Sequence, residues 1–92
     1  MIQSFKCKDS QALYSGKCPR RFKALANVAE RKLAQLDAAQ TLAFLKAPPG
    51  NHLKALKDDR KGQHSIRIND QWRICFIWTE VGPTNVEIVD YH

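Results

Sequence analysis

The last four residues of the sequence are Val89-Asp90-Tyr91-His92, so a carboxylate, a phenol and an imidazole occupy consecutive positions. An unperturbed imidazole titrates near neutral pH, a carboxylate well below it and a phenol well above it. Together the three could accept, hold or give a proton, although a frayed polar tail has the same appearance. A second group precedes them. Lys54, Lys57, Arg60, Lys61, Arg67 and Arg73 fall within one twenty-residue stretch. Fixed Arg and Lys side chains stabilise charge that develops on a phosphoryl group, and do so more strongly as water is excluded. The chain carries no glycine-rich phosphate loop, no H-E-x-x-H and no G-x-S-x-G. His52, His64 and His92 do not stand at metal-ligand spacings, and Cys7, Cys18 and Cys75 form neither a zinc motif nor a disulfide framework. The expectation is therefore chemistry without metal or cofactor, carried by acid–base groups and charge. RNA strand cleavage is one reaction within reach, because RNA supplies its own nucleophile, the 2′-hydroxyl. The protein must help remove that proton, stabilise the extra phosphorane charge and protonate the leaving 5′-oxygen. A positioned acid or base contributes about 10²–10⁴-fold to such a step.

These groups need elements to hold them. Residues 2–7 partly alternate and predict a short first strand. Asp9-Ser10 can cap a helix over about Gln11 to Tyr14, ended by Gly16 and Pro19. Lys17, Arg20, Arg21 and Lys23 follow, a basic cluster of the kind that usually coats a solvated surface. Residues 24–46 read as the main helical region, with Leu25, Val28, Ala29, Leu33 and Leu36 on one apolar stripe and many alanines favouring helix. Pro48-Pro49-Gly50-Asn51 stops it. Beyond that point the period changes to two. Ser65 to Ile68, Trp72 to Trp78 and Asn85 to Tyr91 predict three strands joined by turns at Asn69-Asp70 and Gly82-Pro83. Alternation puts Arg73 on the face opposite Trp72, Ile74, Phe76 and Trp78. If the aromatic face meets the helices, Arg73 points to an open face, a position that ordinary polar strand residues also take. The fold class is α+β, with N-terminal helices on one face of a small antiparallel sheet.

The chain has 92 residues, a length that predicts one domain spanning 1–92. Fifteen basic against nine acidic residues leave a formal charge of +6, a field that attracts polyanions, nucleic acid first among them. The opening residues Met1 to Lys6 lack the apolar core of a signal peptide, and no run approaches the ~20 apolar residues of a membrane span. Free thiols suit a reducing compartment. A cytoplasmic protein without membrane contact is expected. A DNA-binding regulator is disfavoured, since no helix-turn-helix spacing is present and the basic residues lie mainly outside the long helix.

Several segments together resemble one family. They are Pro48-Pro49-Gly50-Asn51, Leu56-Lys57, Asp59-Arg60, Ser65-Ile66-Arg67-Ile68-Asn69, Trp72-Arg73-Ile74-Cys75-Phe76 and the closing Val86-Glu87-Ile88-Val89-Asp90-Tyr91-His92. With Ser4-Phe5 and Val28 to Leu33, nearly the whole chain resembles the HigB family of bacterial toxins, which have a RelE-like fold. The resemblance implies a metal-independent endoribonuclease that cuts mRNA in the ribosomal A site and leaves a 2′,3′-cyclic phosphate. It implies neutralisation by a HigA-type helix-turn-helix antitoxin, through which alone operator DNA would be contacted. It also carries roles to residues: Arg73 and Lys57 to charge stabilisation, His92 and Asp90 to proton transfer, and Tyr91 to substrate orientation. Lys54, Arg60, Lys61, His64 and Arg67 would bind RNA. Two positions depart from the pattern of some members, which carry histidine in place of Lys54 and arginine in place of Asn69. The rival reading is a basic module of the same fold that grips RNA or an antitoxin and cleaves nothing.

Overall fold

The computed structural model describes residues 1–48 and 50–90. Helix α1 spans Lys8–Tyr14 and α2 spans Ala26–Ala38. Strands β1 (Lys54–Ala55), β2 (His64–Arg67), β3 (Trp72–Thr79) and β4 (Gly82–Asp90) follow. They form one antiparallel sheet in the order β1-β2-β3-β4. The expected α+β arrangement is present. The apolar stripe of α2, through Ala29, Leu33 and Leu36, is buried with Phe22 and Leu45 against Ile66, Ile74, Phe76, Val86 and Ile88. Trp72 and Trp78 pack on the same core, and Phe22 meets Trp72 edge-on with centroids 5.7 Å apart.

Three expectations for the N-terminal half need correction. The first strand is reduced to a single parallel bridge between Phe5 and Val86, with backbone bonds from Gln3 to Pro83 and from Lys6 to Val86. Six residues with partial alternation cannot hold a ladder along the margin of an already formed β4. Helix α1 starts earlier than Gln11, with Cys7 rather than Asp9 or Ser10 before its first turn. Ser10 is instead fully buried, and its hydroxyl accepts from the Ile88 backbone N–H at 2.9 Å. The ladder that the N-terminal segment begins on β4 is thus continued by a side chain.

The main helix is also interrupted. It ends at Ala38, Ala39 turns to extended backbone, and a 3₁₀ turn runs over Leu42–Lys46. The Thr41 hydroxyl accepts from the Phe44 N–H at 3.2 Å and opens that turn. The break returns Leu45 to the core at full burial. Alanine-rich propensity gives way to burial, as it does where only tenths of a kcal/mol per residue favour helix.

Turn chemistry matches expectation at the β2–β3 hairpin but not at the second, where Glu80 and Val81 form the turn and Gly82 and Pro83 already belong to β4, paired with Thr79 and Trp78. Asn69 Oδ1 accepts from the Gln71 and Trp72 backbone N–H groups, each at 2.8 Å, and closes the β2–β3 connection. Between Cys75↔Glu87 and Ile77↔Thr84, β4 uses one residue more than β3. Asn85, at φ +51°, supplies the bulge. Gly82 is required at its place for another reason: a Cβ there would stand 2.2 Å from the Met1 carbonyl oxygen.

Ser10→Ala is expected to leave the Ile88 N–H buried without an acceptor and to lower stability by about 1–3 kcal/mol. Urea denaturation followed by circular dichroism reads this as a lower midpoint at unchanged slope. An unchanged midpoint would show that the bond contributes nothing net.

Candidate active site

Directly opposed residues of an antiparallel pair project to the same face. The register Ser65↔Cys75, Arg67↔Arg73, Arg73↔Val89 and Cys75↔Glu87 therefore defines the face away from the helices. Lys54, opposite Ser65, joins it from β1. The expectation that Arg73 lies opposite Ile74 and Phe76 is met, since those two are fully buried in the core while Arg73 is half-buried.

Arg67 and Arg73 stand directly across from each other, an arrangement that like charges ordinarily oppose. Each has partners that hold it. Arg67 Nη2 donates to Asp70 Oδ1. Arg73 Nε donates to the Ser65 hydroxyl at 2.8 Å, and its Nη2 donates to the His52 carbonyl at 2.6 Å. Ser65 is fully buried.

The His52 carbonyl is itself held in place. His52 sits at φ +47°, and the preceding Asn51 is fully buried. The Asn51 amide donates to Gln35 Oε1 at 3.2 Å and to the Leu45 carbonyl at 3.1 Å, and its Oδ1 accepts from Lys32 Nζ. Its backbone carbonyl accepts from the Arg67 N–H at 2.6 Å. The turn after the helical region is thus bonded to α2, to the 3₁₀ turn and to β2. Partial burial, with Arg31 and Arg67 nearby, holds the Lys32 ammonium below the ordinary lysine range. Helix α2 thereby adds a cation to this corner.

Of the other expected site residues, Lys54 and Lys57 are exposed and border a recess of about 300 Å³ with Ala55, Leu56 and Asp58. Lys61 is exposed. Arg60 lies over the sheet, 3.2 Å from Glu87 Oε1 and 3.2 Å from Gln63 Oε1. His64 is turned the other way. It pairs with Phe76 and stacks on that ring, and its Nδ1 is buried with no partner among the described residues. Asp90 ends β4 opposite Trp72, and so on the face opposite Arg73, where Gln71 Nε2 donates to its carboxylate at 3.0 Å. Tyr91 and His92 lie outside the described residues.

Reading the sequence missed Ser65, Asn51 and Lys32. Ser65 was accessible in principle: closing the hairpin at Asn69-Asp70 and counting back puts it on the face of Arg73. Asn51 carries no such signal, because a residue after Pro-Pro-Gly reads as an exposed turn. Cys75 lies between Ser65 and Glu87 and is fully buried. Burial pushes its thiol above 9.0, Glu87 adds to the rise, and Arg60, Arg73 and Lys6 counter it in part. A thiol that keeps its proton is a poor nucleophile.

A profile of the family described as "RelE-like toxin of type II toxin-antitoxin system HigB" matches residues 4–92. The chain is 38% identical over 82 residues to "Toxin HigB-1" of Vibrio cholerae serotype O1, covering 87% of this chain and 86% of that one. It is 36% identical over 52 residues to a Haemophilus influenzae protein that bears no functional name, covering 56% of this chain and 52% of that protein.

The Cys75 thiol gives a pH test of this geometry. Unfolded, it ionises at 9.0; folded, it holds its proton to higher pH. Its contribution to stability is whole below 9.0 and is lost as pH rises through the folded value. Urea midpoints measured from pH 7 upward are expected to fall less steeply above 9.0 for Cys75→Ala than for the wild type. Parallel curves would show that the thiol is not buried as described.

Proposed function

Because the chain belongs to the HigB-like family of RelE-like toxins of type II toxin–antitoxin systems, we propose that it is a metal-independent endoribonuclease that cuts mRNA in the ribosomal A site. The observation that supports this most is the facing pair Arg67 and Arg73 on the open side of the sheet, with Arg73 held at two donors. Two guanidinium groups at directly opposed positions make a site that favours a phosphate, and a planar fork held by fixed acceptors suits it geometrically.

The reaction needs no external nucleophile. The 2′-oxygen attacks the adjacent phosphorus while a base takes its proton. The bond to the 5′-oxygen breaks, and an acid protonates the leaving oxygen. The products are a 2′,3′-cyclic phosphate and a 5′-hydroxyl end. Arg73 and Lys57 are assigned to the charge on the phosphorane, His92 to proton transfer and Tyr91 to orienting the substrate; Asp90, on the face of Trp72, is assigned to the proton transfers only from the end of β4, beside Tyr91 and His92 in sequence. Lys54, Arg60, Lys61 and Arg67 are assigned to the RNA backbone. His64, on the other face, serves the sheet's packing in the described geometry and contacts RNA only at the margin of β2.

Membership of a toxin–antitoxin family implies an antitoxin partner. We take it to be of HigA type, with a helix-turn-helix domain that accounts for any contact of the complex with operator DNA. The bacterial cytoplasm is the compartment in which translating ribosomes would meet the toxin. Among the described residues no helix is long and apolar enough to cross a membrane.

Three experiments test the reading. Inducible expression of the wild type is expected to arrest growth and create new mRNA 5′ ends, and deletion of His92 to abolish both. Arrest that persists without cleavage would favour a toxic binder instead. In a reconstituted translation system Arg73→Ala is expected to lower the cleavage rate about 10²–10³-fold, and a fully active variant would refute the phosphate assignment. Lys54→Ala and Lys61→Ala are each expected to flatten the dependence of log affinity on log salt by about 0.7–0.9 per lost phosphate contact. An unchanged slope would remove that lysine from the RNA surface.

A further inference from the structure

We infer that Ser65 is a positioning residue for Arg73, acting together with the Asn51–His52 turn, and that the cleavage rate depends on the Ser65 hydroxyl although it touches no substrate. The inference rests on the reading of Arg73 as the residue that meets the phosphate.

Arginine has four flexible side-chain torsions, and an exposed guanidinium samples many orientations at similar energy. A fork that must meet a phosphorane cannot do so, because displacement of about 1 Å at a reacting centre can cost on the order of 10²-fold in rate. Arg73 is fixed at two different donors. Ser65 Oγ accepts from Nε at 2.8 Å, and the Ser65 carbonyl lies 3.4 Å from Nη2. The His52 carbonyl accepts from Nη2 at 2.6 Å. Acceptors at Nε and at Nη2 set the plane of the guanidinium as well as its position.

Neither acceptor can easily move. Ser65 is fully buried in β2, between Lys54 and Cys75 in the cross-strand register. The His52 carbonyl belongs to a turn at positive φ whose preceding residue, Asn51, is bonded to Gln35, Lys32, the Leu45 carbonyl and the Arg67 N–H. Arg73 on the open face is thereby tied to α2 on the covered face. A serine buried here for packing alone would have no need to aim its hydroxyl at a guanidinium, and alanine would fill the same space. The hydroxyl also suits the charge balance, since it orients the cation without neutralising it. An aspartate at 65 would form a buried ion pair and cancel the field that an anionic substrate needs.

The test is Ser65→Ala, alone and combined with Arg73→Ala, in single-turnover cleavage of a defined mRNA on programmed ribosomes. Ser65→Ala is expected to lower kcat by about 10-fold or more while KM stays near the wild-type value, because bulk RNA contacts are untouched. In the Arg73→Ala background the same change is expected to cost nothing further, since the hydroxyl acts through the guanidinium. The Arg73 Nε–H signal in nuclear magnetic resonance is expected to exchange slowly with water in the wild type and rapidly in Ser65→Ala. Circular dichroism and urea midpoints establish that each variant is folded. Wild-type activity in Ser65→Ala, beside an impaired Arg73→Ala, would overturn the positioning role and leave the proposed function standing. An equal loss in both backgrounds would also overturn it, as a structural effect independent of Arg73. Full activity of Arg73→Ala would overturn the phosphate assignment and this inference with it.

Discussion

Arg67 and Arg73 face each other across a pair of strands, and much of the surrounding structure answers to that opposition. Like charges at directly opposed positions of an antiparallel pair are destabilising, and each fork is turned to partners of its own. A hydrogen bond to a charged group contributes about 1.5–3 kcal/mol. Asp70 on one arginine, with Ser65 and the His52 carbonyl on the other, are enough to hold both cations at their positions. The Asp70 carboxylate answers Arg67, while a hydroxyl and a backbone carbonyl orient Arg73. A sheet selected only for stability would place an acid, or an apolar residue, opposite one of them.

The same constraint explains the buried polar residues. Asn51 and Ser65 are fully buried at positions that apolar side chains could also fill. A buried amide is tolerated when its donors and acceptors are all engaged, and the Asn51 side chain meets Gln35, Lys32 and the Leu45 carbonyl. The network spans the break after α2. The interrupted helical region, the turn at His52 and the orientation of Arg73 are three aspects of one arrangement. Were the helix continuous to Lys46, Leu45 could not enter the core and its carbonyl could not receive Asn51.

What the sequence revealed follows from where the physics is local. Period-two alternation from Trp72 to Trp78 placed Arg73 opposite the aromatic face, because strand parity depends only on neighbours in the chain. The Asn69 turn was legible for the same reason: its side chain bonds within three residues. The break at Ala39 was not, because alanines favour helix and only the distant core rewards the interruption at Leu45. Ser10 looked like a helix cap, since the alternative partner, the Ile88 N–H, lies seventy-eight residues away. The family resemblance assigns roles to Arg73 and Lys57 but is silent on Ser65. A serine in a strand has no local feature to separate packing from positioning. The side of the sheet taken by His64 could have been derived from the hairpin register, as could that of Ser65.

A site that works by charge and proton transfer alone depends on rigidity more than one that borrows a metal. A metal ion brings its own charge density and keeps it wherever its ligands hold it; an arginine brings charge at the end of a flexible stem. Rigidity must then come from the fold, and in this chain it is supplied from the covered side. The apolar stripe of α2 fixes the helix on the sheet, the helix fixes Asn51 through Gln35 and Lys32, and Asn51 fixes the carbonyl that receives Arg73. The packing of the core is thus continuous with the orientation of the charged face. A substitution deep in α2 should therefore loosen the orientation of Arg73 before it unfolds the chain, because the path from α2 to Arg73 runs through the hydrogen bonds of Asn51.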